Sequence, residues 1–198
     1  MQVYRTEQVH YCSNKLKGNS DVKLLRYRRT GRPLTVTSLV DSSRTNDVDT
    51  RRSRFGFAVY VNACLVAWRS KLHPAIALSS AEAEYTAATE AAKTITWIVS
   101  LMRFLRVMPK LPVRVFEDNA ACRIMASTKQ VSGRNKHFEL RQHYIRDEVA
   151  KGNIKLEEVV TANQVADLFT KTLARPVFEK HAAALMEGLP AMFDGTSD

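Results

Sequence analysis

The segment Ser79-Ser80-Ala81-Glu82-Ala83-Glu84-Tyr85 opens a long amphipathic helix and puts an acid on the side that must be buried. Ser79 is placed to cap this helix, and Glu82, three residues on, to return the bond to Ser79 as a capping box. From Glu84 the positions Ala88, Ala91, Ile95, Ile98 and Met102 follow at helical spacing, so Glu84 is the polar member of an apolar face. Glu82 shares its side with Thr86, Thr89 and Lys93, which read as solvated. An ionised carboxylate left unpaired in a core is costly, so Glu84 must be protonated, paired or bound to a cation. A metal site is the sharpest of these readings.

Three further acids sit where elements are expected to end. Asp41 closes the β-branched run from Leu34 to Val40, which is about strand length. Asp118 closes the strand pattern from Val113 to Glu117, and a helix can start just after it at Asn119-Ala120-Ala121. Asp167 falls in the first turns of a helical segment that Thr161 and Gln164 can open as a second capping-box pair. Each acid has a simpler explanation by itself: Asp118 as a helix cap, Asp167 as a charge favoured at a helix start, Asp41 as an ordinary turn acid. Taken with Glu84, the four make a hard-oxygen ligand set that suits Mg²⁺. Two such ions, for which Mn²⁺ is a substitute, can activate a water and steady a leaving oxygen in phosphodiester cleavage.

The chain also carries Leu24-Leu25-Arg26-Tyr27, Asp47-Val48-Asp49-Thr50-Arg51-Arg52-Ser53, Trp68-Arg69-Ser70-Lys71 and the helix opening at Ser79. Then come Glu117-Asp118-Asn119, Arg134-Asn135-Lys136-His137-Phe138, Gln164-Val165-Ala166-Asp167 and Phe169-Thr170-Lys171. In this order and spacing the motifs resemble the ribonuclease H domain of copia-type long-terminal-repeat retrotransposon polyproteins, from about Val22 to about His181. The resemblance implies a ribonuclease H-like α/β fold, with a mixed five-stranded sheet flanked by helices. It also implies a Mg²⁺-dependent nuclease for the RNA strand of RNA:DNA hybrids. Its metal-binding and catalytic acids fall on Asp41, Glu84, Asp118 and Asp167, the set already reached from helix faces and element ends. A reverse-transcriptase module is the protein partner it suggests.

The pattern departs from the family after the first acid. Such domains usually read Asp-x-Asp-Trp-Ala-Gly there, whereas this chain has Ser43 in place of the second acid and Arg44 in place of the tryptophan. The loop Thr161-Ala162-Asn163 before the last acid lacks the histidine that cellular relatives carry, so no general base is assigned. Two readings stay open. One is an active hybrid nuclease, and the other is an inactive, decayed or domesticated fragment that only binds nucleic acid. The four surviving acids favour the first, and the altered segment and the lack of a preceding polymerase favour the second.

Charge agrees with a polyanionic partner. The formal net charge is +10, and residues 1–60 hold 12 Lys or Arg against 5 Asp or Glu, which leaves +7 there and +3 elsewhere. The cluster around Arg26, Arg28 and Arg29 is expected to contact phosphates without reading sequence, the alternative being a solvated basic linker. With the resemblance, Lys136 and His137 join it as nucleic-acid contacts. The three cysteines are odd in number and lack metal spacing, so they read as reduced thiols, with Cys64 and Cys122 as packing residues. No stretch is apolar enough to span a membrane and no signal sequence is evident, so a cytoplasmic or nuclear setting is expected.

The expected organisation is a basic lead over residues 1–30, read as a remnant of the reverse-transcriptase connection region. A ribonuclease H-like domain over 31–187 and a frayed tail over 188–198 complete it. Within the domain the pattern predicts strands ending at Asp41, at Phe55 to Val61 and at Cys64 to Ser70, then a helix from Ser80 to Arg106. A proline break at Met108 to Pro112 precedes a strand at Val113 to Glu117 and helical stretches at Ala120 to Ser127 and Lys136 to Lys151. A strand at Ile154 to Val160 and a last helical region from Asn163 close the order.

Overall fold

A computed structural model of the protein describes residues 25–27, 33–43, 52–128 and 144–193. The strands are β1 (Thr35–Ser43), β2 (Arg54–Val61), β3 (Cys64–Leu72), β4 (Lys110–Glu117) and β5 (Ile154–Glu158). The helices are α1 (Ser80–Phe104), α2 (Ala120–Ser127), α3 over the described residues 144–150, and α4 (Arg175–Glu187). The strands form one sheet in the order β3-β2-β1-β4-β5, antiparallel across β3-β2-β1 and parallel across β1-β4-β5. That is the mixed five-stranded sheet of the ribonuclease H-like fold.

The two faces of the sheet carry separate cores. On one face α1 covers Val36, Val40, Val113 and Val115 with its alanine-rich side, in which Ala87, Ala88, Ala91 and Ala92 are fully buried. Alanine keeps the helix propensity high and lets the backbone approach the sheet closely. Ile95 adds the bulk between them, and burying such a side chain stabilises by about 2 kcal/mol. On the other face Leu39, Ala58, Tyr60 and Phe116 lie under two short 3-10 turns, Thr161–Asn163 and Val165–Phe169, and under α4. Gly56, paired with Asp41 across β1 and β2, sits so close to the second turn that an added Cβ would lie 2.3 Å from Phe169 Cβ. That approach presses the turn carrying Asp167 onto the strand opposite Asp41.

Several boundaries differ from the sequence expectation. Asp41 does not close β1, because Ser42 and Ser43 go on pairing with Phe55 and Arg54. β4 begins at Lys110, between Pro109 and Pro112. Lys110 pairs with Thr35 and the ladder resumes at Thr37 with Arg114, so Pro112, which has no N–H to offer, falls in a register shift. α1 ends at Phe104, and Arg106 adopts a left-handed φ of 58°. β5 stops at Glu158, leaving Val160 68% exposed. The last helical region is first 3-10, and an α-helix forms only where Pro176 can occupy the first turn of α4.

The tail is packed for longer than expected, since Leu189 and Phe193 are buried in the second core and Phe193 meets Phe116 edge-on. The Ser79 cap forms, with Glu82 N–H donating to Ser79 Oγ, but the Glu82 carboxylate accepts from Leu78 N–H instead of Ser79. Thr86 and Thr89 are buried and not solvated, because each hydroxyl donates to the carbonyl one turn back, at Glu82 and Tyr85. Cys64 and Cys122 are buried, as packing residues are. No described helix is long and apolar enough to cross a membrane.

Candidate metal centre

β1 and β4 run side by side in the same direction, with Leu39 level with Phe116. Continued by two residues, that register sets Asp41 level with Asp118, which lies just past the end of β4. The start of α1 lies across these carboxyl ends and turns its buried face toward them, which delivers Glu84. One carboxylate oxygen from each of Asp41, Glu84 and Asp118 lies within 4.8 Å of the other two. Asp41 is fully buried, Glu84 is 6% exposed, and Asp118 is half-buried. Of the two glutamates at the start of α1, the fold buries Glu84, the one on the apolar helix face. Asp118 does not cap α2; Asn119 does, accepting from Cys122 N–H at 3.0 Å.

Asp167 arrives differently. It lies on the second 3-10 turn and joins the group through Lys171, whose Nζ is 2.8 Å from Asp167 Oδ1 and 3.0 Å from Asp41 Oδ1. Thr170 Oγ1 donates to the other Asp41 oxygen. The expected Thr161–Gln164 capping box is absent. Gln164 is fully buried, accepts from Ala166 N–H, and donates to the Val40 carbonyl at 2.9 Å, which fastens this turn to β1 beside Asp41.

Electrostatics show what such a group costs without a cation. Burial, then Glu117, Asp41 and Asp118, push Glu84 up to about 11, and Lys171 only partly opposes them. Burial raises Asp167 to about 6, against the hydrogen bond from Lys171. A further acid belongs to the same neighbourhood. Glu117 is fully buried and raised well above the carboxylate range, mainly by burial, with Asn119 N–H donating to its Oε1 at 2.9 Å. Among the described residues, one carboxylate oxygen of Glu84 and the second of Glu117 are buried without a hydrogen-bond partner.

Glu117 was missed in the sequence, although β4 carries its signal. With a period of two, Glu117 falls on the same buried face as Val113 and Val115. Buried oxygens with no partner beside further carboxylates are a donor set that fits a hard divalent cation.

Of the expected nucleic-acid contacts, Arg26 is described: it is exposed, and its N–H donates to the Met186 carbonyl at the end of α4. Arg28, Arg29, Lys136 and His137 lie outside the described residues, as do the first part of the basic lead and residues 194–198.

No family model matches the chain. Sequence comparison finds the retrovirus-related Pol polyprotein from transposon TNT 1-94 of Nicotiana tabacum, 32% identical over 139 residues, covering 70% of this chain and 10% of that polyprotein. The chain is homologous to retrovirus-related Pol polyproteins. A second Pol relative, from transposon RE2 of Arabidopsis thaliana, is 29% identical over 153 residues, covering 77% of this chain and 10% of its own length. This Pol-related chain thus spans about a tenth of the length of the curated relatives it matches. The plant transposon relatives are of the copia type that the motifs resemble. Among solved structures, ribonuclease H1 from Halobacterium salinarum aligns with a TM-score of 0.49 at 11% identity, covering 69% of this chain and 94% of that one. Strand order and direction, rather than this likeness, define the fold of the Pol-related chain.

Proposed function

We propose that the chain is a Mg²⁺-dependent endonuclease that cuts the RNA strand of RNA:DNA hybrids. The observation that carries this reading is the meeting of Asp41, Glu84 and Asp118 within 4.8 Å at the carboxyl ends of parallel strands. In this reading Asp41, Glu84 and Asp118 hold a divalent ion, and Asp167 completes the set from the other face of β1. The ion, when bound, polarises a phosphoryl oxygen and makes water a better nucleophile.

The protein's own part is orientation. β1 and β4 fix two acids level with each other, the Ser79 cap fixes the start of α1 and so Glu84, and Gln164 holds the Asp167 turn against β1. The basic lead around Arg26, Arg28 and Arg29, with Lys136 and His137, supplies phosphate contacts that position a duplex without reading its sequence. The homology to Pol polyproteins makes a reverse-transcriptase module the natural neighbour of this domain.

Incubation with a hybrid labelled on its RNA strand tests the reading. Cleavage is expected with Mg²⁺ or Mn²⁺, with none in chelator and none of double-stranded DNA. An intact RNA strand after incubation of folded protein with either ion contradicts it, and retained hybrid binding in that case supports the binding-only alternative.

A further inference from the structure

Lys171 has no role in the proposed cleavage, yet it sits at the centre of the acid group. Its ammonium bridges Asp41 Oδ1 at 3.0 Å and Asp167 Oδ1 at 2.8 Å. Asp41 is fully buried and Asp167 is 5% exposed, whereas the Lys171 side chain is 36% exposed. Two buried carboxylates facing one point repel each other unless a cation stands between them. Here the chain provides that cation itself, four residues beyond Asp167 and so one turn along. An ion bridging Asp41 and Asp167 would need the same place, since ligand distances of about 2.1 Å leave no room for an ammonium between the same two oxygens. On the other side of Asp41 the opposite holds: among the described residues a Glu84 oxygen is buried without a hydrogen-bond partner, and the Glu84 carboxylate lies close to Asp41 and Asp118.

We propose that Lys171 is a tethered cation filling the Asp41–Asp167 position of the centre. The free protein then takes up one divalent ion, between Asp41, Glu84 and Asp118, and a second only when the ammonium withdraws. This rests on the metal reading above and adds to its ion a second position, which a displaceable lysine occupies. Lys171 is also exposed enough to swing outward, so an arriving phosphate is a natural alternative partner for it.

Titration of the full chain with Mn²⁺ alone, without nucleic acid, tests the proposal by calorimetry or by the loss of the free-ion electron resonance signal. Wild type is expected to bind one ion and Lys171→Met two, the second at least about tenfold more tightly than any second ion in wild type. Lys171→Arg, which keeps the charge, is expected to stay at one. In thermal melts without metal Lys171→Met should fall below wild type, and Mn²⁺ should raise its midpoint by more. Two ions of comparable affinity in wild type overturn the proposal, as does a single ion in Lys171→Met. If Lys171→Met fails to fold, the counts for wild type and Lys171→Arg still decide. If no variant binds metal, the metal reading itself falls and the proposal with it.

Discussion

Asp118→Asn is expected to slow cleavage of a hybrid about a thousandfold or more, because a lost metal ligand removes several kcal/mol of transition-state stabilisation. Hybrid affinity should stay close to wild type, since the proposed phosphate contacts lie elsewhere and Asn119, not Asp118, caps α2. The control is Glu82→Gln. Glu82 is two residues from Glu84 on the same helix, but among the described residues its carboxylate accepts only from the exposed Leu78 N–H, so its loss should change turnover little. Rates and dissociation constants for the two variants and Glu84→Gln, on one labelled hybrid, check this. Equal losses from Glu82→Gln and Glu84→Gln would mean that the buried helix face does not select the functional acid.

The second large effect is on stability. Metal-free protein should become less stable as pH rises from 5 to 8, and Mg²⁺ should flatten the trend. Glu84 is held at about 11 when folded and returns to an ordinary carboxylate value when unfolded. Between those values the folded state carries the extra proton, so each rise in pH favours unfolding, by at most about 1.4 kcal/mol per pH unit for one group. Asp167, at about 6, adds to the slope only below that pH. A bound divalent ion reverses the preference by favouring the ionised carboxylates. Glu84→Gln should therefore melt higher than wild type in chelator at pH 8, yet lose most of the response to Mg²⁺. Melting curves in chelator and in Mg²⁺ across this range are the check. A flat profile in chelator would show that the buried acids do not hold protons in the folded state.

How much of this was legible in the sequence depends on the range of the interaction that sets each feature. Glu84 could be found because its burial follows from the period of a single helix. Asp41 and Asp118 could be placed at element ends, but their level alignment depends on the Leu39–Phe116 register, which is a pairing between distant strands. Glu117 is legible by alternation with Val113 and Val115, all three buried at a period of two along β4. Lys171 and Thr170 were not legible as site residues, because each reaches Asp41 across about 130 positions of chain. The same holds for Gln164, whose local pattern suggested a cap and whose side chain instead crosses to Val40. Phe193 packs against Phe116 although the sequence that follows it, Asp194 to Asp198, is polar, a contact that tertiary structure alone creates.

Anomalous diffraction from crystals of the chain soaked in Mn²⁺ tests the central claim most directly, because it locates the ion without relying on turnover. The expected result is a peak about 2.1 Å from carboxylate oxygens of Asp41, Glu84 and Asp118. A peak away from these residues, or no peak at saturating Mn²⁺ with the three carboxylates still together, would contradict it.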